Sequence, residues 1–137
     1  MLSITVDTLM DELDGSIVDG DISLRDAIAV APSAETIDFA AGLDGGIILM
    51  SLGQLAITDA LTIDATSLAS GLTIDAQQNS RIFNIDDPST TSENFDVTLA
   101  GLTLTRGRTT GDSADFLDDT NNGGAIRSLT SGNLTID

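Results

Sequence analysis

The chain has 137 residues and a net charge of −17, from 22 acidic residues against five arginines, with no lysine, histidine, cysteine, tryptophan or tyrosine. That composition excludes disulfides, thiolate metal sites, Cys or His nucleophiles and an imidazole base. It also argues against nucleic acid as a partner, because the field repels polyanions, and no apolar run is long enough to cross a bilayer.

High charge with few aromatics is a signature of disorder. Against it stand 17 Leu and 14 Ile, gathered in short clusters rather than scattered. Of the acids, 19 are Asp and 3 are Glu, and 30 residues are Ser or Thr. Asp favours turns over helix interiors, and Thr suits the solvent face of a strand. An ordered, turn-rich, all-β protein is expected.

Residues 1–35 are expected to form an N-terminal cap. Leu2-Ser3-Ile4-Thr5-Val6 alternates as a strand does, and this start lacks the basic flank and apolar block of a secretory signal. An acidic loop follows from Asp11 to Asp21, with two turn pairs, Asp14-Gly15 and Asp19-Gly20. Ser23-Leu24-Arg25-Asp26 reads as a capping box, with Ser23 accepting from the Asp26 amide. Leu24, Ala27, Ile28 and Ala31 make one apolar helix face, and Pro32 ends it.

Residues 36–137 read as coils. Leu61-Thr62-Ile63-Asp64, Leu72-Thr73-Ile74-Asp75, Leu102-Thr103-Leu104-Thr105 and Leu134-Thr135-Ile136-Asp137 are near copies, each alternating at the strand period. One series starts at Ile37, Leu61, Ile82, Leu102 and Ala125, in steps of 24, 21, 20 and 23. A second runs through Ile47, Leu72 and Val97 in steps of 25. Two interleaved strand series with one period describe a solenoid, and strand–corner–strand units such as Val97 to Leu104 fit a parallel β-helix. Leu61, Ile82 and Leu102 are then expected to stack in one column. Gly71, Gly101 and Gly123-Gly124 would serve corners that need positive φ or close approach. A single coil buries too few aliphatics to offset backbone ordering, whereas a capped stack does. The short helix would cover the open end of that stack.

An inserted loop, 106–122, interrupts the period. Its acids Asp112, Asp115, Asp118 and Asp119, with Asn121 and Asn122, place hard oxygens at short intervals. Two readings stay open: a solvated variable loop, or a Ca²⁺ site, since calcium takes six to eight oxygens. The spacing matches neither an EF-hand nor the glycine-rich calcium repeats. The same two readings apply to Asp11, Glu12, Asp14, Asp19 and Asp21. Asp59, Asp64, Asp75 and Asp86 follow strand ends, where Asp suits turns.

Val6-Asp7-Thr8-Leu9, Asp11 to Gly15 and Gly20-Asp21-Ile22-Ser23-Leu24-Arg25-Asp26-Ala27-Ile28 together resemble the opening segment written C-S-L-R-E-A-I. That segment begins many large bacterial surface proteins with pectin-lyase-like folds. Thr36 to Phe39, Leu72 to Ala76, Arg81 to Ile85, Val97 to Thr105 and Gly123-Gly124-Ala125-Ile126 are similar to that family in the same order. The last of these also resembles repeats of polymorphic outer-membrane proteins. Ile22 stands where the family often has Cys, so no thiol role transfers.

The resemblance implies a right-handed, single-stranded parallel β-helix behind a short capping α-helix. It implies an extracellular or cell-surface location, an adhesin-like structural role without catalysis, and a surface glycan or protein as partner. It also implies that further coils of the same polypeptide stack beyond 137. No membrane insertion by this segment is expected. The loop 106–122 is the expected contact surface, since loops on rigid scaffolds often carry binding. The alternative is a polysaccharide lyase or hydrolase with its active site elsewhere in the parent chain. A lyase acting on uronate needs a basic group, and Arg106 and Arg108 are the one basic pair here, while Arg25 serves the cap. A −17 surface repels a polyanionic substrate.

Overall fold

The computed structural model describes residues 3–16, 18, 20–86, 95–108, 124–128 and 132–137. The chain begins with strand β1 (Ser3–Val6), helix α1 (Leu24–Val30) and strand β2 (Glu35–Phe39). Short strands follow: β3 (Ile47–Leu49), β4 (Leu55–Ile57), β5 (Leu61–Asp64), β6 (Leu72–Asp75) and β7 (Phe83–Ile85). The remainder are β8 (Val97–Ala100), β9 (Leu102–Thr105), β10 (Ile126–Ser128) and β11 (Leu134–Ile136). The class is all-β.

These strands form three sheets in which every pairing is parallel. The first sheet runs β1-β2-β5-β8-β11, the second β3-β6-β9 and the third β4-β7-β10. From β2 onward the chain therefore visits first, second and third sheet in rotation. Register stacks like on like. Ile4, Ile37, Ile63, Leu99 and Ile136 form one column, Ile48, Ile74 and Leu104 another, and Leu55, Phe83 and Ile126 a third. Ile37, Ile63, Ile74 and Phe83 are completely buried, so the alternation seen in the sequence points its apolar set inward on all three sides.

Two expectations fail here. Among the described residues there are three strand series, not two, and Leu61, Ile82 and Leu102 do not share a column. Leu61 opens β5 in the first sheet, Ile82 precedes β7 in the third, and Leu102 opens β9 in the second. The physical reason is that all three faces need the same apolar–polar alternation, so motif spacing alone cannot tell one face from another. Lap length also varies. Ile37 to Ile63 is a step of 26, whereas Ile63 to Leu99 is a step of 36, the longer connection lying between β7 and β8.

The corner between first and second sheets repeats on each lap. Gly45, Gly71 and Gly101 hold φ of 70°, 69° and 71°, a left-handed conformation that favours glycine. A Cβ on Gly101 would lie 2.6 Å from the Ala65 carbonyl carbon. The corner positions expected at Gly71 and Gly101 are thus present. Gly124 packs against Gly107, where a Cβ on Gly107 would come within 2.2 Å of the Gly124 oxygen. Gly123 lies outside the described residues.

At the N-terminal end, Ser23 caps α1 by accepting the Asp26 amide at 3.0 Å. Leu24 and Ala27 are buried, with Ile28 and Ala31 packed against the core, and the helix lies against β1 and β4. The helix thus covers the third sheet at this end, and β1 extends the first.

Candidate functional site

Residues alternating with the core columns face outward. On the first sheet, register brings Ser3, Thr36, Thr62, Thr98 and Thr135 into one row, with neighbouring rungs about 4.8 Å apart. At its lower end Thr5 Oγ1 donates to Asp38 Oδ1 at 2.6 Å and Ser3 Oγ to Asp38 Oδ2 at 3.2 Å.

A second polar row runs just before the strands of this sheet. Ser33 Oγ donates to Asp59 Oδ1 at 3.0 Å, and the Asn133 amide donates to Asp96 Oδ1 at 2.7 Å. Between the two rows lies an open groove of about 550 Å³, bordered by Asp59, Thr62, Phe95, Asp96 and Thr98. Gly132 lets the backbone pass close to Phe95, because a Cβ there would sit 2.1 Å from the Phe95 oxygen. The lining joins hydroxyls, which both donate and accept, with carboxylate acceptors and Phe95, which is partly buried against the core. That set suits a hydroxyl-rich ligand and opposes an anionic one.

Other charged groups are engaged in structure. The Arg25 guanidinium grips Asp11 through Nε at 2.7 Å and Nη2 at 3.0 Å, and also donates to the carbonyls of Gly53 and Gln54. Asp11 in turn accepts the Ser51 and Leu52 amides. Burial pushes the Asp11 carboxyl up, but the Arg25 fork and these amides outweigh it and hold the group below its ordinary value. Thr66, through hydroxyl and amide, lowers Asp64. Asp75 is lowered chiefly by its hydrogen bonds from Arg106. Asp75 therefore does more than suit a turn: it holds Arg106 and accepts the Gln77 amide at 2.7 Å. Arg106, one half of the expected basic pair, is thereby occupied.

The calcium candidates Asp112, Asp115, Asp118 and Asp119, with Asn121 and Asn122, lie outside the described residues, as does Asp19. Among the described residues no group of three or more acids is arranged to hold a metal ion. The N-terminal loop shows another use for its acids. Asp11 is taken by Arg25, and Asp14 accepts the Ser16 amide at 2.8 Å. Residues 106 and 108, where the expected loop begins, are anchored, with the Gln78 amide donating to Arg106 O and the Arg108 amide to Ser80 O, both at 2.8 Å.

The hydroxyl row was missed by sequence reasoning. Thr at the second position of each L-T-I-D-like copy was legible as outward-facing, but not which copies share a sheet. No protein-family model, curated protein or solved structure matches this chain.

Proposed function

We propose that this chain is a coil segment of a right-handed parallel β-helix serving as a non-catalytic stalk or adhesin at a bacterial cell surface. The observation that carries the reading is the rotation of the chain through three parallel sheets with aliphatic columns in register. A rod built this way grows by adding laps. Among the described residues β9, β10 and β11 each keep one edge without a strand, so further laps would stack there. The excess Asp keeps a sheet-rich rod soluble and discourages lateral pairing.

The contact surface in this reading is the groove on the first sheet, beside the hydroxyl row, and its partner is a neutral surface glycan. Hydrogen bonds from Thr62 and Thr98 and apolar contact with the part of Phe95 that borders the groove supply recognition. A glycan array probed with the purified chain tests this. Retention of neutral oligosaccharides, weakened by Phe95→Ala and without shortening of the glycan, supports the proposal. Shortened products would replace it with a carbohydrate-active reading, and no retention would remove the groove from consideration.

A further inference from the structure

We propose that residues 7–11 are a strap across the N-terminal edge of the second sheet, latched at one carboxylate, Asp11, and released by acid. The chain closes this end in the same rotation that it uses for every later lap. β1 lies below β2 in the first sheet, the strap follows beside β3 of the second, and α1 comes next, against β4 of the third. The strap is not a strand, because Thr8 Oγ1 accepts the Met10 amide and turns the segment on itself.

Two contacts of different kinds hold it. Leu9 packs onto the core at Gly46, where a Cβ would lie 2.7 Å from Leu9 Cδ1. The polar attachment is concentrated at Asp11. Among the described residues, every hydrogen bond that joins residues 8–11 to another part of the chain is made by Asp11. Its carboxylate takes the Arg25 fork from α1 and the Ser51 and Leu52 amides from the β3–β4 connection. The segment is fastened separately at its ends. Asp7 exchanges bonds with Ile22, and the Asp14 and Gly15 amides reach Asp26. Losing the Asp11 contacts therefore frees the middle of the strap and leaves both ends tied.

Acid acts on this latch through its charge. The Asp11 side chain is 3% exposed and that of Arg25 12%. Arg25 is the charge that α1 brings to it, while Ser51 to Gln54 and β1 bring no ionisable side chain. Of the nearby acids, Asp7 is turned to the Ile22 amide, Asp26 to Asp14 and Gly15, and Asp44 to the Ser70 amide, and Glu12 is the next residue in the chain. Burial opposes the Asp11 charge, but the fork and the amides outweigh it, so its folded-state value lies below the ordinary 3.8. The latch is closed above 3.8 and opens as pH falls through the folded-state value. Protonation also deprives Arg25 of its counter-charge.

Release uncovers a groove of about 520 Å³ bordered by Leu43, Ile47 and Leu49. The isoelectric point is about 4.1, so this apolar surface opens once the chain has lost the net negative charge that holds other surfaces away. The device belongs to the N-terminal end and stands apart from the glycan reading.

Amide exchange and Nile red, a neutral dye for apolar surface, test the latch from pH 7 into acid. Dye fluorescence should rise as the Ser51 and Leu52 amides lose about tenfold or more of their protection, while Ile63 and Ile74 keep theirs. Arg25→Gln should move this transition up by about one pH unit or more, since the carboxyl loses its cation. Asp11→Asn, similar in size but uncharged, should give the opened signals already at pH 7, with no acid step. An unshifted transition in Arg25→Gln overturns the proposal, as does loss of Ile63 and Ile74 protection in step with Ser51 and Leu52 in the unaltered chain. Should Asp11→Asn fail to fold, which the Ile63 and Ile74 amides report, the other two titrations decide.

Discussion

The N-terminal end and the coils are held together by different chemistry. In the coils, the interior is stacked Ile, Leu and Phe columns that do not titrate, with the carboxylates of Asp64 and Asp75 confined to strand ends. At the N-terminal end, carboxylates collect backbone amides. Asp26, completely buried, accepts from Asp14 and Gly15 through Oδ1, and its Oδ2 lies 3.0 Å from Ser23 Oγ. Asp11 joins the loop to Arg25 and to the start of the β3–β4 connection. A repeating stack needs only a periodic apolar pattern. An end that must be fastened once needs individual polar contacts.

The sharpest way to break the comparison is to cut each region at its most buried group. Ile63→Ala, in the middle of the longest column, should cost about 2–5 kcal/mol in chemical denaturation and loosen amides on laps both above and below. Asp26→Ala should cost about 1–3 kcal/mol by leaving the Asp14 and Gly15 amides without their acceptor. Its exchange changes should stay within the N-terminal loop and helix. If both variants loosen the whole chain equally, the two regions are one cooperative unit and the distinction fails.

Acid sharpens the same contrast. Asp11 has a folded-state pKa below its ordinary value of 3.8, so the unfolded chain binds more protons between those two values. Its contribution is complete above 3.8 and is lost as pH falls through the folded-state value. Amides of Ser51 and Leu52 should therefore exchange faster below about pH 4, and before those of Ile63 and Ile74. Simultaneous loss would contradict separate fastening. Ser23→Ala should have the smallest effect, about 1 kcal/mol for one lost cap, read as a lower midpoint in thermal unfolding with the β signal retained.

Several details are legible in the amino-acid order alone. The capping box at Ser23 needs only four residues of local chain, because a cap is a contact between near neighbours. The strands at Leu61, Leu72 and Leu102 follow from a period-two alternation, and the corners at Gly71 and Gly101 from the one residue that tolerates their φ. The Asp11–Arg25 pair was harder. Asp11 stood among many acids in one loop, and the amides it accepts lie some forty residues on. The hydroxyl row depends on register across laps of unequal length, which no local pattern encodes.

By itself, the amino-acid order determined that this chain is β, that its strands bury one side each, and that a capped helix follows the first of them. These follow from interactions between residues a few positions apart. Only the tertiary structure decided which strands are neighbours: β5 and β6 share the letters L-T-I-D, yet one belongs to the first sheet and the other to the second. Identical segments have identical local preferences, so the choice between them falls to the lengths of the connections and to the columns above and below.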